Sequence, residues 1–374
     1  MKPPDHPVPS GDRRVARLLL QALGHSGHQV QLASGFRSYE GGGDPERQQA
    51  IAAEGAAEAH RLIGRWSAAP AAERPELWFT YHVYHKAPDL LGPLVSASLR
   101  IPYVIAEPSH APKQAGGPWS EGYRRAAGAI AAADALFCLT RHDMACVADL
   151  ARPGRLHFLP PFLDATPFAA AMADRTAARA QLADAAPLDP AQPWLLAVAM
   201  MRRRDKLDSY RELAVALQGL ADLPWQLLIV GDGEARDAVA AAFATMAGRV
   251  FYLGTRAPAA LPAIYAAGDL YVWPAVGEAY GMALLEAAAT GLPVVAGRLR
   301  GVPDVVEDGS TGLLCRPGDP ADFAAKVRRL LTEPGLRRQL GTTAARFVAE
   351  QRSLAAAAGQ LDQVLTRLRP GCAA

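Results

Sequence analysis

Apolar and polar positions alternate along the chain with two different periods. Val15 to Leu23 and Gln48 to Trp66 carry apolar residues at helical spacing, whereas other stretches are short continuous apolar runs typical of buried strands. This alternation predicts an α/β domain with a parallel sheet covered by helices on both faces. The strands predicted for the first half are Val30 to Ala33, Leu77 to Tyr81, Tyr103 to Ala106 and Leu136 to Leu139.

The proline-rich segment Leu159 to Phe168 interrupts this alternation, which then starts again. The interruption is interpreted as a linker between two domains. We therefore place the first domain at residues 1–164, the second at residues 165–350, and a final helical segment at residues 351–374. The strands predicted for the second domain are Trp194 to Ala199, Gln226 to Val230, Val250 to Leu253, Leu270 to Trp273 and Pro293 to Ala296. The helices predicted between them are Tyr210 to Gln218, Glu234 to Phe243, Leu261 to Ala266 and Met282 to Thr290.

Composition narrows the range of functions. The chain has 374 residues, and its 39 basic and 37 acidic residues leave a formal net charge of +2. This balance argues against nucleic acid as the partner. The four cysteines form no C-x-x-C pair, so neither a disulfide framework nor a structural zinc site is expected. Neither the apolar region of a signal peptide nor a run of about 20 apolar residues is visible, and we expect a cytoplasmic protein.

The stretch from Glu278 to Glu286 contains the clearest candidate binding residues. Two carboxylates flank the turn Tyr280-Gly281-Met282, which opens an apolar helix. Free N–H groups and the positive end of the helix dipole favour an anion such as a diphosphate at this turn. A glycine at Gly281 permits a close backbone approach to such a ligand.

Other candidates follow predicted strands. Lys206 and three arginines, Arg202 to Arg204, lie on the loop after the strand Trp194 to Ala199. In the first half, His82 and Glu107 each lie where a strand ends. Open α/β sheets place their ligands outside the carboxyl ends of the strands, so both loops are candidate binding regions.

The string E-A-Y-G-M-A-L-L-E resembles the E-x7-E signature of the GT4 family of retaining glycosyltransferases. Further matches extend over residues 195–350. Val230 to Gly233 resembles the family's G-x-G turn, and Val250 to Gly254 resembles its V-x-F-x-G segment. Residues 300–314 resemble a G-G-x-P-E block, with Arg300 and Asp304 in place of Gly and Glu. The resemblance implies the GT-B fold, in which two Rossmann-like domains with parallel sheets face each other across a cleft.

The resemblance also implies roles for individual residues. Lys206 matches a lysine that binds the donor diphosphate, whereas the place of its partner arginine holds Met200 or Met201. Arg202 is the first candidate for the missing cation, ahead of Arg203 and Arg204. Glu278 would contact the donor sugar and Glu286 the ribose. The implied donor-binding set is Glu286, Tyr280, Gly281, Met282, Lys206, Arg202, Gly231 and Arg256. The candidate catalytic residues are Glu278, Lys206, Arg202, Glu107 and His110.

The first half matches the family only in outline. Gly11 and its neighbour Asp12 resemble the acceptor-side glycine loop, and His82 is assigned to the same acceptor side. Family members often carry a histidine near the next strand end, where Glu107 and His110 are the candidates together with Ser109, and the sequence does not choose among them.

One expected element is missing from the first half. Members of this family open with a hydrophobic strand, whereas Met1 leads straight into Pro3-Pro4-Asp5. Two explanations stay open: the true start lies upstream, or the chain has lost an edge or central strand. The final helix, Ser353 to Leu368, is expected to cross back onto the first domain, as it does in relatives.

The resemblance implies a retaining glycosyltransferase of bacterial glycan, polysaccharide or glycolipid synthesis. It would move a sugar from a UDP- or GDP-linked donor to a hydroxyl of a glycan, lipid or small-molecule acceptor. No further cofactor is implied, and no metal either, since the chain has no D-x-D triad. A non-catalytic donor-binding subunit stays open as an alternative, as does another enzyme on the same fold, such as a nucleotide-sugar epimerase or a glycan phosphorylase. Peripheral membrane contact also stays open.

Overall fold

The computed structural model describes residues 4–5 and 10–368, which form two compact units. The first unit comprises the described residues up to Pro160 together with those from Leu354 onward, and the second comprises Pro161–Ser353. The division falls at Pro160 rather than after residue 164. Leu163 explains this difference, because it pairs with Ser353 as an isolated parallel bridge and its N–H donates to the Arg352 carbonyl oxygen at 3.0 Å.

The first unit contains a four-stranded parallel sheet in the order β1-β2-β3-β4. Its centre is apolar, and all four residues of β3 are buried. The strand β4 was not predicted, because its three residues are only half-buried and form no continuous apolar run. The strands are β1 (Trp78–Val83), β2 (Tyr103–Pro108), β3 (Ala135–Cys138) and β4 (Leu156–Phe158).

Helices cover this sheet, and side-chain caps fix where two of them start. Ser10 accepts a hydrogen bond from the Arg13 N–H at the start of α1, and Asp44 accepts two at the start of α2, where Pro45 occupies the first turn. Both helices bury one stripe and expose the other face. The helices are α1 (Gly11–His25), α2 (Pro45–Ala68), α3 (Gly92–Leu99), α4 (Ser120–Ala132) and α5 (Arg141–Val147).

The strand predicted at Val30 to Ala33 is wrong. This segment has no regular secondary structure and no strand partner among the described residues, and Val30 and Leu32 are 44% and 55% exposed. An apolar run becomes a strand only where a neighbouring backbone accepts its hydrogen bonds. The sheet begins at β1, which is an edge strand, and none of the described residues pairs with its outer edge as a further strand.

The second unit contains a six-stranded parallel sheet in the order β10-β9-β8-β5-β6-β7. The strands β6, β8, β9 and β10 are entirely buried, as expected for a parallel sheet with helices on both faces. β10 was not predicted from the sequence. The strands are β5 (Trp194–Val198), β6 (Gln226–Val230), β7 (Val250–Gly254), β8 (Leu270–Trp273), β9 (Val294–Gly297) and β10 (Gly312–Cys315).

Eight helices of the described residues pack around this sheet. The first two lie on alanine-rich sequence without a clear period and were not predicted. They are α6 (Thr166–Ala173), α7 (Arg175–Ala185), α8 (Asp205–Gln218), α9 (Arg236–Ala242), α10 (Leu261–Ala267), α11 (Met282–Ala289), α12 (Pro320–Thr332) and α13 (Pro334–Gln351).

The last helix, α14 (Leu354–Leu368), packs against α1 and therefore belongs to the first unit. Ser26 Oγ donates to the Ala358 carbonyl oxygen at 2.9 Å, and the His28 ring lies 3.3 Å from the Asp362 carboxylate. Among the residues that the structure describes, none of the helices combines the length and the apolar character needed to cross a bilayer. Cys372 lies outside the described residues; of the other cysteines, Cys146 is exposed and Cys138 and Cys315 are buried, all as free thiols.

The packing of α14 gives a stability prediction. Leu361 is fully buried, and Leu361→Ala should lower the free energy of unfolding by about 2–5 kcal/mol, because the cavity removes apolar contacts. Urea unfolding measures the change. Gln363→Ala on the exposed face of α14 is the matched control and should stay within about 0.5 kcal/mol of the parent. Equal stability of both variants would show that α14 does not pack as described.

Candidate active site

The connections of the second sheet reverse direction between β5 and β8. From β5 the chain moves outward through β6 to β7, and from β8 it moves the other way through β9 to β10. In open α/β sheets such a reversal leaves a crevice at the carboxyl ends of the two central strands, and ligands bind there. Glu278 lies on the loop after β8, and Lys206, which the sequence placed on the loop after β5, lies in the first turn of α8, directly after that loop.

Direct contacts join the first part of α8 to the loop after β8. The Lys206 ammonium forms an ion pair with the Glu278 carboxylate, and the Val276 N–H donates to Ser209 Oγ at 3.0 Å. Trp273 Nε1 donates to the same Glu278 oxygen at 3.3 Å, and the Lys206 ammonium lies 5.4 Å from the Trp273 ring centre. The structure thus brings Lys206 and Glu278 together, and in this state each neutralises the other.

Backbone strain is concentrated on the same edge of the sheet. In the second unit, the described non-glycine residues with positive φ are Arg204 (64°), Ala275 (63°) and Arg300 (46°), which follow β5, β8 and β9. A left-handed backbone is unfavourable for residues with a Cβ, and it persists where the surroundings enforce it, commonly at ligand sites. Three strained loops on three adjacent strands point to a functional edge.

The helix α11 begins at this edge. Gly281, with a φ of 76°, is its N-cap residue, and no side chain caps the first turn. Its N-terminus therefore presents the positive end of a helix dipole beside Lys206 and Glu278. Gly277 lies in the preceding loop, and a Cβ there would collide with the Asp205 carboxylate, so the loop has room only for glycine.

Glu286 has a different environment from Glu278. It lies inside α11 and is only 2% exposed, and its Oε2 accepts a hydrogen bond from the Tyr265 hydroxyl at 2.7 Å. A buried carboxylate requires such donors, because an unpaired one would lose its solvation. The predicted ribose contact must therefore be made from a nearly buried position. The sequence did not single out Tyr265, which lies on α10.

The other predicted donor residues lie on neighbouring loops. A Cβ at Gly231, whose φ is 138°, would collide with the Ala199 carbonyl oxygen, so this glycine lets the loop after β6 lie against the loop after β5. Arg202 is exposed on the loop after β5. Arg256 is also exposed, but it follows β7 at the far edge of the sheet. Tyr280 and Met282 are half-buried beside Gly281.

The first unit has its own strained edge. His82 and Glu107 occupy the same register position on β1 and β2, between the pairs Tyr81–Ala106 and Val83–Pro108. Both are left-handed, with φ values of 62° and 57°. Two neighbouring strands therefore share a kink at the point where polar side chains leave the sheet.

These side chains form a cluster with Asp12, in the first turn of α1. His82 Nδ1 lies 3.6 Å from the Asp12 carboxylate. Burial alone would lower the pKa of His82, but the nearby Asp12 carboxylate and the charge of Glu107 raise the pKa overall. Burial also raises the pKa of Glu107, against the opposing effect of His82, and Glu107 Oε2 is buried with no hydrogen-bond partner among the described residues.

His110 lies in a contrasting environment. Its Nδ1 is 3.2 Å from the Cys146 carbonyl oxygen, and its Nε2 is 2.9 Å from the Tyr123 hydroxyl, on which the ring also stacks. Both ring nitrogens are engaged, as is usual for a structural histidine. The geometry therefore favours Glu107 over His110. Gly11 is exposed at the start of α1, and a Cβ added there would meet nothing within 4 Å, so no contact there requires glycine.

Within the part of the chain that the structure describes, no three His, Cys, Asp or Glu side chains converge as a metal-ligand set.

Comparison with known proteins gives a family for the second unit. The profile of the family described as glycosyl transferases group 1 matches residues 192–333. The D-inositol 3-phosphate glycosyltransferase of Corynebacterium diphtheriae is 39% identical over 119 residues, which cover 32% of this chain and 28% of that relative. The chain thus spans under a third of the length of this relative. The matched segment belongs to the group 1 glycosyltransferases.

Solved structures match the fold over most of the chain. A sucrose-phosphate synthase from Thermosynechococcus elongatus superposes with a TM-score of 0.71 at 20% identity, covering 96% of this chain and 94% of that chain. The Anabaena protein HepE in complex with UDP and glucose gives 0.60 at 18% identity, covering 83% and 81%. The fold of two parallel-sheet α/β domains is therefore GT-B, as the sequence predicted.

The contact between Tyr265 and Glu286 leads to a second stability prediction. Tyr265→Phe should lower the free energy of unfolding by about 1–3 kcal/mol, because the buried Glu286 carboxylate loses a donor. Tyr252→Phe, at a half-buried tyrosine on β7, is the matched control and should change stability far less. Chemical denaturation of the three proteins tests this. If both variants unfold at the same denaturant concentration, Glu286 does not depend on Tyr265.

Proposed function

We propose that the second unit binds a nucleoside diphosphate sugar at the loops after β5 and β8, and that the protein transfers the sugar to an acceptor hydroxyl with retention of configuration. One observation carries this proposal. Lys206, Glu278 and the N-terminus of α11 meet at the point where the sheet connections reverse. The family of residues 192–333 supports the same reaction class.

The ion pair explains how one site serves a charged donor. The donor diphosphate is an anion, and Lys206 is held beside the dipole of α11 by Glu278. When the diphosphate arrives, Lys206 exchanges its carboxylate partner for a phosphate oxygen. Glu278 is then released toward the sugar, where a carboxylate stabilises the positive charge that develops in the transition state. We do not assign Glu278 the role of nucleophile, because the diphosphate oxygen is the proposed acceptor of the hydroxyl proton.

The other proposed contacts to the nucleotide-sugar donor are assigned from where each side chain lies in the second unit. Glu286 is the proposed ribose ligand, reaching the nucleoside from the second turn of α11. Arg256 is the proposed contact to the base, and Arg202 a further cation near the diphosphate. The proposal requires no cofactor besides the UDP- or GDP-linked donor.

The acceptor is assigned to the first unit. Asp12, which follows Gly11, lies with His82 and Glu107 at the carboxyl ends of β1 and β2, and a buried carboxylate oxygen of Glu107 without a partner among the described residues suits a hydroxyl donor. A glycan, a lipid headgroup and a small polyol all present such hydroxyls. The relative from Corynebacterium diphtheriae is named for an inositol phosphate, which makes a phosphorylated polyol one acceptor to test.

A non-catalytic donor-binding subunit is the second candidate. The unpaired segment at Val30 to Ala33 favours it, because the unit assigned to the acceptor has an incomplete sheet edge. Binding of UDP or GDP without any transfer or hydrolysis of the linked sugar would select this alternative.

Lys206→Ala should weaken binding of UDP or GDP by about tenfold or more, because one charge-assisted contact to the diphosphate is lost. Isothermal titration calorimetry measures the affinity. Lys326→Ala is the control, since Lys326 forms an ion pair with Asp322 on α12 and has no assigned role in binding. Unchanged nucleotide affinity in Lys206→Ala would contradict the proposed site.

Glu278→Ala should act in the opposite direction on binding. Removing the carboxylate frees Lys206, so the affinity for UDP or GDP should stay the same or rise, whereas turnover should fall by about 100-fold or more. The rate of nucleotide release from the matching nucleotide sugar gives the turnover. Equal losses in nucleotide affinity and turnover would exclude a role of Glu278 that is confined to the donor sugar.

A further inference from the structure

The donor edge needs more positive charge than Lys206 supplies alone. Lys206 is paired with Glu278, and Arg298 on the loop after β9 is paired with Asp308. Arg300 lies on the same loop as Arg298 and is exposed, and within the described residues it forms no ion pair. It is therefore a cation that an arriving diphosphate could use without first breaking an ion pair.

Arg300 forms a hydrogen bond with the loop that leads into α11. Its Nη1 donates to the Gly277 carbonyl oxygen at 3.4 Å, and the next residue, Gly301, donates its N–H to the Ala279 carbonyl oxygen at 2.8 Å. The guanidinium carries five N–H donors, of which this contact uses one. The others remain in the planar fork that matches two oxygens of a phosphate.

The order of the strands places Arg300 and Lys206 on opposite sides of the same loop. β8 lies between β9 and β5, and neighbouring strands are about 4.8 Å apart. The loop after β8 is therefore flanked by Arg300 from the β9 side and by Lys206 from the β5 side. Arg256, on the loop after β7, is three strand positions from β8.

The backbone of Arg300 gives a second, independent observation. Its φ of 46° is left-handed, a conformation in which glycine would avoid the strain that a Cβ introduces. The backbone contact of Gly301 already joins the loop after β9 to the loop after β8, so the Arg300 side chain is not needed to hold these loops together. Glycine at this position would avoid the strain but would lack the guanidinium group, so the guanidinium is the feature that an arginine adds here.

We propose that Arg300 is a second cationic ligand of the donor diphosphate, a role for which the sequence favoured Arg202. This inference rests on the proposed function, in that a nucleoside diphosphate binds at this edge. In the complex, Lys206 and Arg300 hold the diphosphate from two sides above the N-terminus of α11, and Arg300 keeps its contact to Gly277 with one donor.

Arg300→Gly separates a binding role from a structural one. It removes the guanidinium and also relieves the left-handed strain, so nucleotide affinity should fall while thermal stability does not. The affinity for UDP or GDP, measured by calorimetry, should fall about 10- to 100-fold. The melting temperature without ligand should stay the same or rise. Arg300→Lys keeps a charge without the fork and should lose less affinity than Arg300→Gly.

Arg100→Gly is the matched control. Arg100 is also left-handed, with a φ of 54°, but it follows α3 and lies ahead of the amino end of β2 in the first unit. The same substitution there should leave the affinity for UDP or GDP within twofold of the parent.

The remaining outcomes separate the inference from the proposed function. Nucleotide affinity of Arg300→Gly within twofold of the parent would overturn the role of Arg300 and leave the donor site in place. A lower melting temperature in Arg300→Gly would show a structural side chain and would also overturn it. If the unaltered protein binds neither UDP nor GDP, the proposed function itself fails.

Discussion

The ion pair between Lys206 and Glu278 joins the start of α8, which follows β5, to the loop after β8, and β5 and β8 are the two central strands of the second sheet. The two residues are 72 positions apart in sequence, and their contact closes the crevice where the chain connections reverse. Because both side chains are half-buried and also contact Trp273, the pair is positioned rather than freely solvated. The N-terminus of α11 and the loop after β9 are arranged around it.

Strained backbone in both units is found mainly where parallel strands end. Arg204, Ala275 and Arg300 mark this edge in the second unit, and His82 and Glu107 mark it in the first. The strands themselves pair in regular register up to these points, apart from one irregularity between β6 and β7. A regular core thus holds irregular loops in fixed conformations, which is the arrangement expected where loops carry binding groups.

The sequence predicted the second sheet well because its strands are continuous apolar runs between helical patterns. β6 and β8 match their predictions at both ends, and β5, β7 and β9 differ by one residue at most at either end. The prediction failed at Val30 to Ala33, because strand formation depends on a neighbour that an apolar pattern does not reveal. β4 and β10 were missed, since both are short and one begins with glycine.

The candidate site was predictable only in part. Spacing along the chain selected Glu278 and Glu286, and a strand followed by a basic loop selected Lys206. The pairing of Lys206 with Glu278, the burial of Glu286 against Tyr265 and the kinks at His82 and Glu107 are tertiary features with no local signal. Arg300 could have been noticed as an arginine in a position usually occupied by glycine, but its contact with the loop before α11 required the structure.

A crystal structure of the protein with bound UDP or GDP tests the central claim most directly. It should show the diphosphate at the N-terminus of α11, with Lys206 Nζ within about 3 Å of a phosphate oxygen and Glu278 released from its ion pair. A nucleotide bound elsewhere, with Lys206 still paired to Glu278, would contradict the assignment of this edge as the donor site.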